Sequence, residues 1–157
     1  MSVGSLVNHE VIADHALLLS EAADVLLDMA LSPSNRAQDL EDIESIQAEA
    51  SSFPATPGLP GLIDAMFADV VALGHGLAEQ ADPLPPSMVS ECRAVMQIAN
   101  TLSAALETGG DARHTMSINR CAVALQPDAR PGVDLEAAVA SGAAAVHAMR
   151  LRWSVTD

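Results

Sequence analysis

Apolar residues along this chain recur every three or four positions, and carboxylates fill the opposite side. In the first segment Val11, His15, Leu18, Ala22, Val25 and Met29 follow one another at 4-3-4-3-4 spacing. At about 100° per residue these positions share one direction, the packed seam of a helix in a bundle or coiled coil. Glu10, Asp14, Glu21, Asp24 and Asp28 fall on the far side as one acidic stripe. The helix therefore has a wet face and a packed face. Ile63, Phe67, Val70, Gly74 and Leu77 make the seam of a third helix, and Met88, Cys92, Val95, Ala99, Leu102 and Leu106 that of a fourth. In the last helix Leu135, Val139, Gly142, Val146, Met149 and Trp153 form the seam, with Asp134 as its N-cap. Its small residues allow close helix approach.

Two segments carry weaker signals. Residues 35–50 offer only Leu40, Ile43, Ile46 and Ala50 on their apolar side, which predicts a peripheral helix. In residues 112–125, His114, Ile118, Cys121 and Leu125 suit a helix, although Thr115 to Val123 also alternates passably as a strand. Helix is the expectation, because a lone strand would have no partner. Loops are predicted at Ser32-Pro33-Ser34-Asn35, Ser51 to Gly61, Asp82 to Ser87, Gly109-Gly110 and Gln126 to Gly132. No repeat of fixed period is present. The expected fold is all-α, a single-domain antiparallel helical bundle of five to six helices spanning residues 1–157.

Composition sharpens this picture. Half of the 157 residues are apolar, yet aromatics are only 2%, so Ala, Leu, Val, Ile and Met must build the core; the strand-favouring rings are nearly absent. The chain has seven cations against 21 Asp and Glu, for a net charge of −14, and all seven cations are Arg. The absence of Lys excludes Schiff-base and PLP chemistry and the lysine-bearing phosphate loop. The negative field argues against nucleic acid as a direct partner. No cation precedes Arg36, so the charged start of a secretory signal is missing, and the runs free of charge or hydroxyl fall short of a membrane span. A cytoplasmic protein that does not engage a membrane is expected. Cys92 and Cys121 form no CxxC pair and read as buried free thiols.

The acidity is uneven. Residues 1–91 carry fifteen Asp and Glu against Arg36 alone, whereas residues 92–157 carry six acids and six arginines. An electronegative face for a basic partner and plain solvated helix surface both fit this asymmetry.

Individual residues suggest sharper chemistry. His15 lies in an apolar seam, where an imidazole must find a hydrogen-bond partner or coordinate something. With Cys92, His114 and Cys121 it supplies the donor types of a tetrahedral zinc site, or of a metal or small-molecule pocket near His15, Cys92 and Cys121. The spacing lacks any C-x2-C element, and no cofactor is expected. His75 lies on the predicted solvent face with Asp64, Glu79 and Asp82, between Gly74 and Gly76. An accessible imidazole on a bundle helix is what a phosphoacceptor histidine requires. The cation that such sites place three residues later is missing, since Ala78 and then Glu79 follow, and i,i+4 pairing with Glu79 is the simpler reading.

Other matches fail. His9-Glu10-Val11-Ile12-Ala13 begins like a zinc-protease helix but has Ala13 where the second ligand belongs. Asp111, after Gly109-Gly110, reads as an N-cap. No paired Glu-x-x-His, GxSxG or GxGxxG occurs. Arg150, Arg152 and Trp153 suit either a contact patch or a last helical turn that offsets the macrodipole.

The function expected is non-catalytic: a protein-protein interaction or regulatory module that presents acidic helix faces, led by Glu10, Asp14, Glu21, Asp24 and Asp28, to a basic protein surface. An adaptor, a chaperone or a nucleic-acid-mimic inhibitor fits this class, and so does a homodimer. The rivals are histidine phosphotransfer through His75 and the pocket near His15, Cys92 and Cys121.

Overall fold

The computed structural model describes residues 3–51, 58–80 and 82–155, with side chains from Glu10 to Trp153 within those ranges. The side chain of His9 and most of the predicted Ser51–Gly61 loop lie outside the described residues. Six α-helices account for nearly all of the rest: α1 (Val3–Leu31), α2 (Arg36–Ala50), α3 (Leu59–Ala78), α4 (Pro86–Thr108), α5 (Ala112–Leu125) and α6 (Leu135–Val155). A short 3₁₀ turn, Pro33–Asn35, joins α1 to α2. The described residues contain no strand, and the ambiguous 112–125 segment is helical.

Local sequence sets the helix ends. Pro86 opens α4, where the missing N–H costs nothing and the fixed φ suits a first turn, and Gly109 closes it in the left-handed region at φ 91°. Asp111 caps α5 by accepting from the backbone N–H groups of Arg113 at 2.8 Å and His114 at 3.3 Å. His114 Nδ1 returns the favour to the Asp111 N–H at 3.1 Å, a capping box with imidazole in place of the usual Glu or Gln. Asp134 caps α6 as expected, its Oδ1 taking the Ala137 N–H at 2.8 Å.

The helices pack in a closed circuit: α1 on α4, α4 on α5, α5 on α6, α6 on α3 and α3 on α1, with α2 laid against α1 and α3. Because α1 has three neighbours, its buried arc is wider than the seam. Ala16, Leu19, Ala23, Leu26 and Ala30 join Leu18, Ala22 and Met29 in the core, while Val11 and Val25 are only half-buried. The α3 seam is buried throughout. In α2 only Ile43 and Ala50 are buried among the four apolar positions, as befits a peripheral helix. Gly142 of α6 lets three helices meet, since a Cβ there would stand 3.4 Å from the Cγ2 atoms of both Ile98 and Ile118.

By length and composition α3 could cross a membrane, with a mean hydropathy of 1.4, although no uninterrupted apolar run in it is long enough to signal a span. Here its apolar residues Ile63, Met66, Phe67, Val70, Leu73 and Leu77 belong to the core shared with the other helices.

Candidate functional site

All five carboxylates of the α1 stripe, Glu10, Asp14, Glu21, Asp24 and Asp28, are exposed. Leu17 and Leu31 belong to the same row, at 42% and 54% exposure. The complete outer row is thus Glu10, Asp14, Leu17, Glu21, Asp24, Asp28 and Leu31, a 4-3-4-3-4-3 progression. The spacing alone places the two leucines in the row beside its acidic members. On its α4 side the row is anchored: Asn100 donates Nδ2 to Asp24 Oδ1 at 3.3 Å and accepts from the Ser20 hydroxyl.

Toward α2 the negative field is dense enough to perturb a titration. Partial burial pushes the Asp39 carboxyl up from its ordinary value, and the neighbouring charges of Asp28 and Asp42 push it the same way. The one cation of residues 1–91 does not relieve this field. Arg36 is buried, and it donates to three backbone carbonyls: Nε to Met29 at 2.9 Å, and Nη1 to Gln80 at 2.6 Å and Asp82 at 2.9 Å. Its charge serves a last-turn carbonyl of α1, where the helix dipole is negative, and two carbonyls of the loop that follows α3.

The candidate ligand residues disperse. His15 is buried as predicted, stacked on Phe67 with ring centroids 5.9 Å apart, and its Nε2 lies 2.9 Å from Asp64 Oδ1. Burial holds its pKa below the ordinary histidine value, against the opposing pull of the Asp64 charge and hydrogen bond. His114 is engaged in the α5 cap, and Cys121 Sγ lies 3.5 Å from Gln97 Oε1. Cys92 is a buried free thiol pushed up to about 12 by desolvation, with Glu91 adding to the shift and Arg36 opposing it. Burial likewise raises Cys121, against Arg120. Among the described residues no three His, Cys, Asp or Glu side chains converge as a metal site would require. No three of His15, Cys92, His114 and Cys121 therefore gather at one place among the described residues.

His75 is exposed, as expected from its face. Its partner is Glu44 of α2, with Nε2 3.3 Å from Oε2, in place of the Glu79 suggested by i,i+4 spacing. Tertiary packing of α2 on α3 supplies a carboxylate that sequence spacing could not reveal.

Two polar hubs went unpredicted. Asp69 of α3 is buried, and its Oδ1 lies 3.2 Å from both His147 Nδ1 and Arg150 Nη1 of α6. Glu91 of α4 takes the Trp153 indole N–H at 2.6 Å on one oxygen and Arg152 at 2.9 Å on the other. Arg152 also donates to the Leu125 carbonyl at 3.1 Å. The C-terminal Arg150, Arg152 and Trp153 group thus reaches into the fold. For Asp69 a signal existed: it continues the 4-3-4 row of Leu62, Met66 and Leu73, an ionisable group in an apolar row.

Two shallow recesses flank α5. One, of about 400 Å³, lies against α4 beside Asn100, Arg113, His114 and Ser117. The other, of about 420 Å³, is floored by Met116, Val123 and Pro131 and edged by Asn119 and Arg120. No family model, curated protein or solved structure matches this chain.

Proposed function

We propose that the protein is a non-catalytic interaction or regulatory module whose α1 row docks a basic protein surface. The supporting observation is the composition of that row: five exposed carboxylates with Leu17 set among them, while the only cation of the first 91 residues is buried on backbone carbonyls. Carboxylates steer a cationic partner and fix its register, and a central apolar side chain gives the contact an area that can be dried. Leu17 favours an adaptor or chaperone that holds a basic segment over an inhibitor acting only by mimicking nucleic-acid charge. Within this reading the chain is a single-domain antiparallel bundle acting in the cytoplasm, where its two buried thiols stay reduced, and a homodimer is one form in which the row could be displayed.

The test compares wild type with the triple variant Asp14→Asn, Glu21→Gln, Asp28→Asn, each immobilised and exposed to native lysate at low and high salt. Partners retained by wild type at low salt, released at high salt and absent from the triple variant support the reading. Identical retention by both proteins sinks it.

A further inference from the structure

The two exposed histidines with described side chains, His75 and His147, differ in which ring nitrogen is engaged. His75 faces Glu44 through Nε2, with both side chains about half exposed at 53% and 48%. His147 faces Asp69 through Nδ1, and here exposure is lopsided: 53% for the imidazole and 4% for the carboxylate. A carboxylate only accepts, so Nδ1 carries the proton in this contact, and the neutral ring keeps its lone pair on Nε2. A buried carboxylate thus sets the tautomer of a solvent-facing imidazole. Arg150, three residues on, contacts the same Oδ1 at 3.2 Å and brings a positive charge beside the ring. Helical side chains lean over the i−3 and i−4 positions of the preceding turn, and beneath His147 these are Ala144 and Ala143, so no long side chain there shields the half-exposed imidazole.

We propose that His147 Nε2 is a phosphoryl-acceptor site for donors with an activated phosphorus, such as acyl phosphates and phosphoramidates. The Nε2 lone pair forms the bond to phosphorus as the bond to the leaving group breaks, and that group departs with its electron pair, as carboxylate from an acyl phosphate or as ammonia from phosphoramidate. The ring becomes cationic as the P–N bond forms. Asp69 stabilises that charge through the retained Nδ1 proton, and Arg150 offsets the charge of the incoming phosphoryl oxygens. This is a positioning role for Asp69, and it is independent of the α1 face. The site also meets the requirement that His75 fails, a cation three residues after an accessible imidazole.

The test is incubation of the native protein with phosphoramidate, with label located by peptide mapping under non-acidic conditions and the ring nitrogen assigned by NMR. His147 is expected to be labelled at Nε2 about tenfold faster than His75, the size of effect an orienting partner commonly has. Asp69→Asn, which keeps an acceptor but removes the charge, should reduce that advantage to about twofold while circular dichroism stays unchanged. Equal rates at His147 and His75 in wild type, label on Nδ1, or a folded Asp69→Asn protein with an undiminished rate would each overturn the proposal. Should Asp69→Asn not fold, the wild-type rate ratio and nitrogen assignment decide the matter.

Discussion

Arg36 turns back seven residues to donate Nε–H to the Met29 carbonyl at 2.9 Å, so the first residue of α2 closes the last turn of α1. Its Nη1 holds the Gln80 and Asp82 carbonyls in the loop between α3 and α4. One guanidinium therefore ties three chain segments.

Replacing Arg36 with Met keeps much of the side-chain volume and removes the buried charge, but it strands three carbonyls. Each lost charge-assisted hydrogen bond costs about 1.5–3 kcal/mol, and relief from burying the charge returns part of that sum. Arg36→Met is expected to lower unfolding stability by about 2–4 kcal/mol in urea titration, with an unchanged m-value. A change below 0.5 kcal/mol would show that the carbonyls find other donors.

His15 makes stability depend on pH. Its folded pKa is held below the ordinary 6.5, so between the two values the unfolded chain binds a proton that the folded chain does not. The contribution is therefore complete above about pH 6.5 and declines as pH falls through the window toward the lowered folded value. Thermal unfolding of wild type and His15→Gln between pH 8 and 5 should show a difference that shrinks on acidification. Asp64 is the charged neighbour facing the ring, and Asp64→Asn should steepen the decline by removing the group that supports protonation in the folded state.

The α1 row separates charge from contact. Leu17→Ala leaves every carboxylate in place and should weaken partner binding about tenfold, equivalent to about 1.4 kcal/mol, without altering the salt dependence. Glu21→Gln should flatten the salt dependence while changing high-salt affinity little. Binding measured by interferometry against a captured partner distinguishes the two patterns.

Two glycines should respond oppositely to alanine. The Asn119 amide holds Gly132 by both backbone groups, at 2.8 and 2.9 Å, and a Cβ there would run into the Ala138 nitrogen and the Ala137 carbonyl. Gly132→Ala should destabilise by about 2 kcal/mol or more, because backbone must move. Gly76, exposed in α3 with nothing within 4 Å of a built Cβ, should stabilise by about 0.5–1 kcal/mol when changed to Ala. Thermal melts of the two variants give the contrast.

What the sequence made legible follows from what a helical period encodes. Periodicity reports the direction of each residue around its own axis, so the α3 and α4 seams, the inward His15 and the outward Asp14 and Glu21 could all be read. The period does not report which helix lies opposite. Asp69 and His147 are 78 positions apart and Glu91 and Trp153 are 62, and no local spacing joins them. The same blindness paired His75 with Glu79 instead of Glu44 and left open a four-donor alternative of which no three members converge among the described residues. Part of the buried arc on α1 was hidden too, because Ala16, Ala23 and Ala30 read as neutral until three neighbouring helices close on them.

The Trp153–Glu91 bond gives the molecule a built-in optical reporter. The chain has one tryptophan and no tyrosine, so its ultraviolet emission arises essentially at a single joint, where the end of α6 meets the start of α4. A ligand, a neighbour or an acid pulse that loosens that joint will change the colour of the emitted light before the rest of the bundle yields, and Glu91→Leu should mimic the change in the resting protein.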